Sequence, residues 1–248
     1  MTSLEVLKVK DIKKKIHPLD DKLHPHLPRH AFLMLLIAPP RSGKSALIAN
    51  LLANPSFYNA LEYWDFVYYV SPTQKFDRTT MHYLNKLENV IQIDDDDTLR
   101  NLDIFLKEIM DSQMKRLEEK DPKTGKPLEM ERLLIVLDDC LGYLNANDAL
   151  PNICTRYRHY NMSFIITSQS FRRLPLTIRN CANQIVLFKM NNEVEYEKLH
   201  DEYGSSFHNN FINIAKSITS KKYDFVYLNH DELKLYRNFT DLVVDAGA

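Results

Sequence analysis

Four stretches of the chain are almost wholly apolar at strand length: Ala31–Ile37, Leu133–Leu137, Phe164–Thr167 and Gln184–Phe188. A strand with one face in water alternates apolar and polar residues, whereas one covered on both faces reads as a continuous apolar run. These four are therefore predicted as buried strands. Phe66–Val70, Val90–Ile93 and Tyr223–Leu228, rich in aromatic or β-branched residues, predict three more. Ser45–Ala53 has helical composition and stops before Asn54-Pro55. Thr98–Glu119 places Leu99, Leu102, Phe105, Leu106 and Ile109 at the spacing of an amphipathic helix. Asp77–Leu87, part of Ala149–His159, and residues 192–203 and 207–218 also predict helices. Strands alternating with helices imply an α/β fold, a mostly parallel central sheet flanked by helices. The polar stretch 120–131, with its Asp-Pro and Thr-Gly pairs, predicts an exposed loop or hairpin within the domain. The organisation expected is a polar, Pro- and His-rich N-terminal arm over residues 1–30 and a single domain over 31–248.

Composition narrows this. The 248 residues contain only 5 glycines, where an average chain of that length carries about 17. No G-x-G-x-x-G occurs, which argues against a dinucleotide-binding fingerprint. The formal net charge of −1 gives no bulk attraction to nucleic acid and leaves a local basic patch or a pore as the only route. The basic run Lys8, Lys10, Lys13, Lys14 and Lys15 is a weak candidate for phosphate contact, a solvated arm being the plainer reading. His17, His24, His26 and His30 match no zinc spacing. Cys140, Cys154 and Cys181 likewise lack metal-ligand spacing and suit free thiols in a reducing compartment. The longest apolar run, Ala31–Pro40, is too short to span a bilayer, so no membrane segment is expected.

Chemistry enters at Ala38-Pro39-Pro40-Arg41-Ser42-Gly43-Lys44-Ser45-Ala46, between a buried strand and a helix. The P-loop pattern G-x-x-x-x-G-K-[ST] belongs in that context, and here Ala38 replaces its first glycine. Backbone N–H groups at such a turn and helix start cradle phosphate oxygens. Lys44 is the candidate for the β- and γ-phosphates, Ser45 for Mg²⁺, and Gly43 for the close approach of backbone to phosphate. Pro39, Pro40, Arg41, Ser42 and Ala46 complete the expected nucleotide cradle. Downstream, Leu133–Leu137 runs into Asp138-Asp139, a buried strand ending in two carboxylates as in a Walker B motif. Asp138 is the candidate to hold Mg²⁺ through its water shell and Asp139 the candidate to polarise the attacking water. Ser45 and Leu133 are too far apart for a single crossover, so a further strand is expected between the P-loop and Walker B strands. Phe164–Thr167, followed by Ser168 and Gln169, fits such an inserted strand and resembles that of RecA-, AAA+- and FtsK–HerA-type P-loop ATPases, a resemblance that implies a terminal polar sensor of the γ-phosphate, here Gln169. Arg156 and Arg158 precede that strand; Arg172, Arg173 and Arg179 follow it.

Together these residues resemble the FtsK–HerA superfamily of P-loop ATPases, and within it the poxvirus-type genome-packaging ATPases of large DNA viruses and virophages. The likeness runs from about Phe32 to Phe239. It rests on Ala38–Ser45, on Asp138-Asp139 and on the block from Arg158 to Gln169. It extends to Leu174–Asn180 and to Tyr236-Arg237-Asn238-Phe239 after the late strand. Two departures stand out: Ala38 for the first glycine, and Asp139 where cellular members carry Glu. The resemblance implies a RecA-like sheet with ATP and Mg²⁺ as ligands. It also implies a homo-oligomeric ring, pentamer or hexamer, that pumps double-stranded DNA into a viral capsid and meets capsid proteins. It places the chain in the virion and the host-cell cytoplasm, and it implies an arginine acting in trans, Arg158 first and Arg156 next. Two alternatives remain open from the residues: a P-loop small-molecule kinase, for which the 120–131 loop lacks the arginines of an acceptor lid, and a nucleotide-gated scaffold without turnover, which has no need of a second acid.

Overall fold

The computed structural model describes residues 18–144 and 149–247. Its centre is a nine-stranded sheet in the order β3-β2-β4-β5-β1-β6-β7-β8-β9. The strands are β1 (Leu33–Ile37), β2 (Phe66–Val70), β3 (Val90–Ile93), β4 (Leu133–Leu137), β5 (Met162–Ser168), β6 (Gln184–Phe188), β7 (Phe225–Asn229), β8 (Lys234–Arg237) and β9 (Asp241–Asp245). The six from β3 to β6 run parallel, and β7 to β9 continue the sheet antiparallel.

The continuous apolar runs follow from burial on both faces. Along β1, Leu33, Leu35 and Ile37 enter one core layer, while Phe32, Met34 and Leu36 enter the other. β4 divides in the same way, Leu133, Ile135 and Leu137 against Leu134 and Val136. Each such side chain stabilises the fold by roughly 1.5–3 kcal/mol relative to exposure, so a charge anywhere in these strands would be costly.

The expected strand between the P-loop and Walker B strands is β5, paired on one side with β1 and on the other with β4. The two strands that intervene in sequence, β2 and β3, lie instead beyond β4, at the far edge. Helix Lys44–Ala53, here α1, follows β1 directly. The long helix predicted over 98–119 is broken into Asp96–Arg100 and Leu102–Glu118. The break falls at Asn101, whose side-chain amide donates to Asp97 O at 2.9 Å and so offers the backbone an alternative to helix. The acidic run ahead of it caps the shorter piece: Asp95 accepts from Thr98 N at 2.8 Å, and Asp96 and Asp97 fill the first turn, where carboxylates suit the helix dipole. Residues 120–131 close a small turn through the Lys120–Pro127 bridge. β8 and β9 have no counterpart in the apolar pattern. They are short, and β9 is largely exposed at the sheet edge.

The described part of the segment read as an arm lies against the domain from Asp20 onward. Leu23 and Leu27 are buried, Tyr63 donates to Asp20 Oδ1 at 2.7 Å, and Tyr58 donates to Pro28 O at 2.6 Å. The polar composition hides this because two leucines and a few backbone acceptors suffice. The histidines here serve as hydrogen-bonding groups: His26 Nδ1 meets Phe239 O at 2.7 Å, and His30 meets Ser163 and Asn161 at 2.8 Å each. No group of metal-ligating side chains occurs among the described residues. Lys8 to Lys15 and His17 lie outside the described residues. Among the described residues no helix is long and apolar enough to cross a membrane.

Candidate functional site

The site forms where β1, β4 and β5 end. Parallel strands bring their C-terminal ends to one rim, so loops far apart in sequence meet there. Ala38 N still donates to Ser168 O at 2.9 Å, continuing the ladder between β1 and β5 by one residue. The chain then turns through Pro39 and Pro40. Arg41 has φ +63° and Gly43 φ +109°, so the two left-handed turns of this loop fall on those residues. A Cβ on Gly43 would lie 3.0 Å from the Tyr223 ring in addition to meeting that backbone strain. α1 begins at Lys44 with no side-chain cap, which leaves its first N–H groups open to an anion. The Ser42 hydroxyl oxygen is buried with no hydrogen-bond partner, a further unmet polar group in the same loop.

Lys44 reaches from α1 to both Walker carboxylates. Its Nζ is 3.0 Å from Asp138 Oδ1, and it also pairs closely with Asp139 Oδ2. Burial works against the ammonium, yet the two carboxylates outweigh it and raise the Lys44 pKa. Asp138 is 2% exposed and fully engaged, its Oδ2 accepting from Tyr69 at 2.8 Å and its Oδ1 from Thr167 at 2.7 Å. Burial, reinforced by Asp138, pushes the Tyr69 phenol far up, so it stays a donor. Burial likewise pushes up the Cys140 thiol, with Asp138 and Asp139 adding to it, so Cys140 stays protonated. Asp139 is different. Its backbone is left-handed, φ +55°, its N–H donates to Thr167 Oγ1 at 3.0 Å, and its side chain is 24% exposed. Thr167 thus fixes both acids at once, donating to the first side chain and accepting from the second residue's backbone.

These groups surround a cavity of about 660 Å³ lined by Pro39–Arg41, Gly43–Ala46, Asp139 and Gln169. Of the predicted cradle, Ser42 alone faces away, toward a smaller neighbouring cavity of about 280 Å³, and its N–H is used within the loop, 3.3 Å from Pro39 O. Gln169 stands exposed at the rim, one residue past β5. Arg156 and Arg158 are not here. Both precede β5 and lie at the opposite rim, where Arg158 lines a second cavity with His30, Asp231 and Glu232. Arg158 is held by Tyr157, its Nε donating to the phenol oxygen at 3.0 Å. Arg179 is committed internally, 3.2 Å from Glu202 and stacked over Phe171, whereas Arg172 and Arg173 are exposed on the loop after Gln169.

Sequence reasoning missed three supporting residues. Tyr69 sits in β2 as one of two adjacent tyrosines, and a fully buried phenol needs a polar partner. Thr167 closes an otherwise apolar strand. Asp77 caps helix Arg78–Leu84, accepting from Thr80 N at 3.0 Å, and also bonds the Ser45 side chain. Burial opposes its charge, but these hydrogen bonds win and hold the Asp77 pKa below the usual carboxylate value. The cavity's aromatic flank, Phe188, Tyr223 and Phe225, was also not anticipated.

A profile of the family described as poxvirus A32 protein matches residues 23–233. No curated protein matches the chain. Among solved structures, the genome packaging NTPase B204 from Sulfolobus turreted icosahedral virus 2, in complex with ATP-γS, aligns at TM-score 0.56 and 14% identity over 84% of this chain and 96% of its own. The cytoplasmic domain of the Thermomonospora curvata type VII secretion ATPase EccC aligns at 0.60 and 15%, over 87% of this chain and 27% of that one. The pCW3 conjugation coupling protein TcpA, with ATPγS, aligns at 0.54 and 14%, over 87% and 60%. At these identities the likeness is one of fold, and it is the P-loop ATPase fold expected of the sheet order. The family match covers most of the sequence: the chain belongs to the poxvirus A32 protein family.

Proposed function

We propose that the chain is the ATP-hydrolysing motor subunit of a viral genome-packaging machine, assembling as a homo-oligomeric ring that drives double-stranded DNA into a capsid. The observation that carries this reading is the convergence of Lys44, Ser45, Asp139 and Gln169 on one cavity with Asp138 behind them. Family membership and the nucleotide-bound packaging NTPase of the same fold support it.

The reaction asks little covalent chemistry of the protein and much positioning. The open N–H groups of α1 and the Lys44 ammonium bind the triphosphate, Lys44 leaving its two carboxylates to do so. Asp139, partly exposed and freed of Lys44, accepts the proton of the attacking water, and Gln169 orients that water. Asp138 has both oxygens hydrogen-bonded, which fits a carboxylate that acts through a metal's water shell; the Ser45 hydroxyl, at the start of α1, fits direct ligation. Magnesium held there would neutralise charge on the β- and γ-phosphates. Arg158, or Arg156, supplies the transition-state cation to a neighbour's site. The test is phosphate release by the assembled oligomer with and without duplex DNA. Stimulation by DNA is expected. ATP hydrolysis indifferent to DNA would overturn the translocase reading, and transfer of phosphate to a small acceptor would replace it with a kinase.

A further inference from the structure

The antiparallel extension of the sheet has a chemical consequence at the P-loop. β7 starts where β6 ends, so residues 223–225 arrive at the same rim as the C-terminal ends of β1 and β6. They bring Tyr223 and Phe225 beside Phe188 on one flank of the nucleotide cavity. Phe188 and Phe225 are buried, at 2% and 7% exposure, with ring centroids 5.3 Å apart, and form a wall. Tyr223 stands in front of them at 57% exposure. Its backbone is unusual for a bulky residue, at φ +75°. A bulky residue occupies that region only where its surroundings impose it, and such positions gather at functional sites.

The ring divides two cavities. Tyr223 lines both the nucleotide cavity and the smaller one behind it. Lys222 lines only the smaller one, and its Nζ lies 4.7 Å from the ring centroid, so it covers the face away from the nucleotide cavity. The other face borders the cavity lined by the P-loop.

We propose that Tyr223 is the platform on which the nucleobase stacks. This rests on the reading of the site as a nucleoside triphosphate site and deepens it. The polar neighbours in that cavity include Thr79 and the amide of Asn50, which is partly engaged, donating to Ala46 O at 2.8 Å and accepting from Asn54 at 3.0 Å. Recognition chiefly by a π-face favours the larger purines and separates adenine from guanine weakly.

The test is equilibrium binding of ATP, GTP, CTP and inorganic tripolyphosphate, with magnesium, to the wild-type chain, Tyr223→Ala and Tyr223→Trp. Tyr223→Ala is expected to weaken ATP and GTP alike by about tenfold, with tripolyphosphate unchanged. Tyr223→Trp is expected to retain affinity and to show fluorescence quenching by ATP but not by tripolyphosphate. The chain's single native tryptophan, Trp64, is buried, and wild type provides its baseline. ATP bound by Tyr223→Ala as tightly as by wild type would overturn the platform while leaving the site reading intact. So would an equal loss of tripolyphosphate, which would place Tyr223 as a prop for Gly43. Binding of neither ligand by wild type would overturn both.

Discussion

The two rims of the sheet carry cavities of equal size, each about 660 Å³, and opposite chemistry. At the C-terminal rim the charges at the heart of the site are paired at short range. Lys44 bridges Asp138 and Asp139, and two positive-φ residues bend the loop that would hold phosphate. At the N-terminal rim, Arg158 is tethered through a neutral phenol and looks toward Asp231, itself taken up by the amides of Asn183 and Gln184. One rim has an anion site and the acids for hydrolysis, with Lys44 held by both acids and Arg41 in the loop as its cavity-lining cations. The other has exposed guanidinium groups and no phosphate cradle. A single subunit cannot bring the two together, because the full length of the strands separates them. A ring that sets one subunit's N-terminal rim against its neighbour's C-terminal rim would.

The sharpest way to break this contrast is to disable each rim in turn. Lys44→Ala is expected to abolish measurable ATP binding. If Arg158 acts in trans, Arg158→Ala is expected to keep ATP binding and lose about 10³-fold in turnover. Mixing the two inactive proteins should restore part of the activity, since some interfaces then pair an intact P-loop with an intact arginine. No recovery at any mixing ratio would separate the rims for good, and recovery only with Arg156→Ala would move the trans role two residues upstream.

Within the C-terminal rim, Asp139→Asn should leave ATP bound at least as tightly as in wild type and lower turnover by about 10²–10⁴-fold. The affinity expectation follows from the Lys44 ion pairs: Lys44 must leave two carboxylates to reach phosphate, and the variant removes one competing charge. Weaker ATP binding, measured by calorimetry, would mean that Asp139 holds the loop and does not act on water.

This rim was legible in sequence because its residues are contiguous and its spacing is dictated by phosphate geometry. The motif from Ala38 to Ser45 and the pair Asp138-Asp139 each follow an apolar run, and the run itself predicts the strand that delivers them. Thr167 and Tyr69 were not legible, because each matters only through a neighbouring strand, β5 or β2, whose register against β4 no local pattern encodes. The same blindness hid the separation of Arg158 from Gln169. The two are eleven positions apart in the chain, and only the extended course of β5 between them sends one to each rim. β9 escaped because an exposed edge needs no apolar period, β8 because four residues with two buried make too short a pattern, and the packing of residues 20–30 because it rests on scattered anchors.

Asp77 tests whether the rim is held from outside the motifs. It caps a helix and meets Ser45, so Asp77→Ala is expected to cost about 1 kcal/mol at neutral pH and to weaken ATP only a few-fold. The pH dependence has a definite sign. The folded-state pKa lies below the unfolded one, so the contribution is complete above the unfolded value near ~3.9. It fades as pH falls through the folded value. Chemical denaturation of wild type and variant should therefore converge in acid and diverge above it. A gap that persists unchanged at the lowest accessible pH would show that the carboxylate charge is irrelevant to the cap.

The smallest expected effect concerns the residue that departs from the P-loop pattern. Ala38 is not among the positive-φ residues; its N–H is still in the β1–β5 ladder, and its methyl is 1% exposed in the core with Leu36 and Phe188. A glycine's freedom has no use there, since the left-handed turns fall at Arg41 and Gly43. Ala38→Gly should therefore change ATP affinity by less than about twofold and lower stability by roughly 0.5–1 kcal/mol through backbone entropy. Gly43→Ala should do the reverse, acting first on binding, because it strains the backbone at the start of α1 and presses on Tyr223. If Ala38→Gly instead tightened ATP binding tenfold, the loop would have to take a different course around phosphate, with its left-handed turns elsewhere than at Arg41 and Gly43.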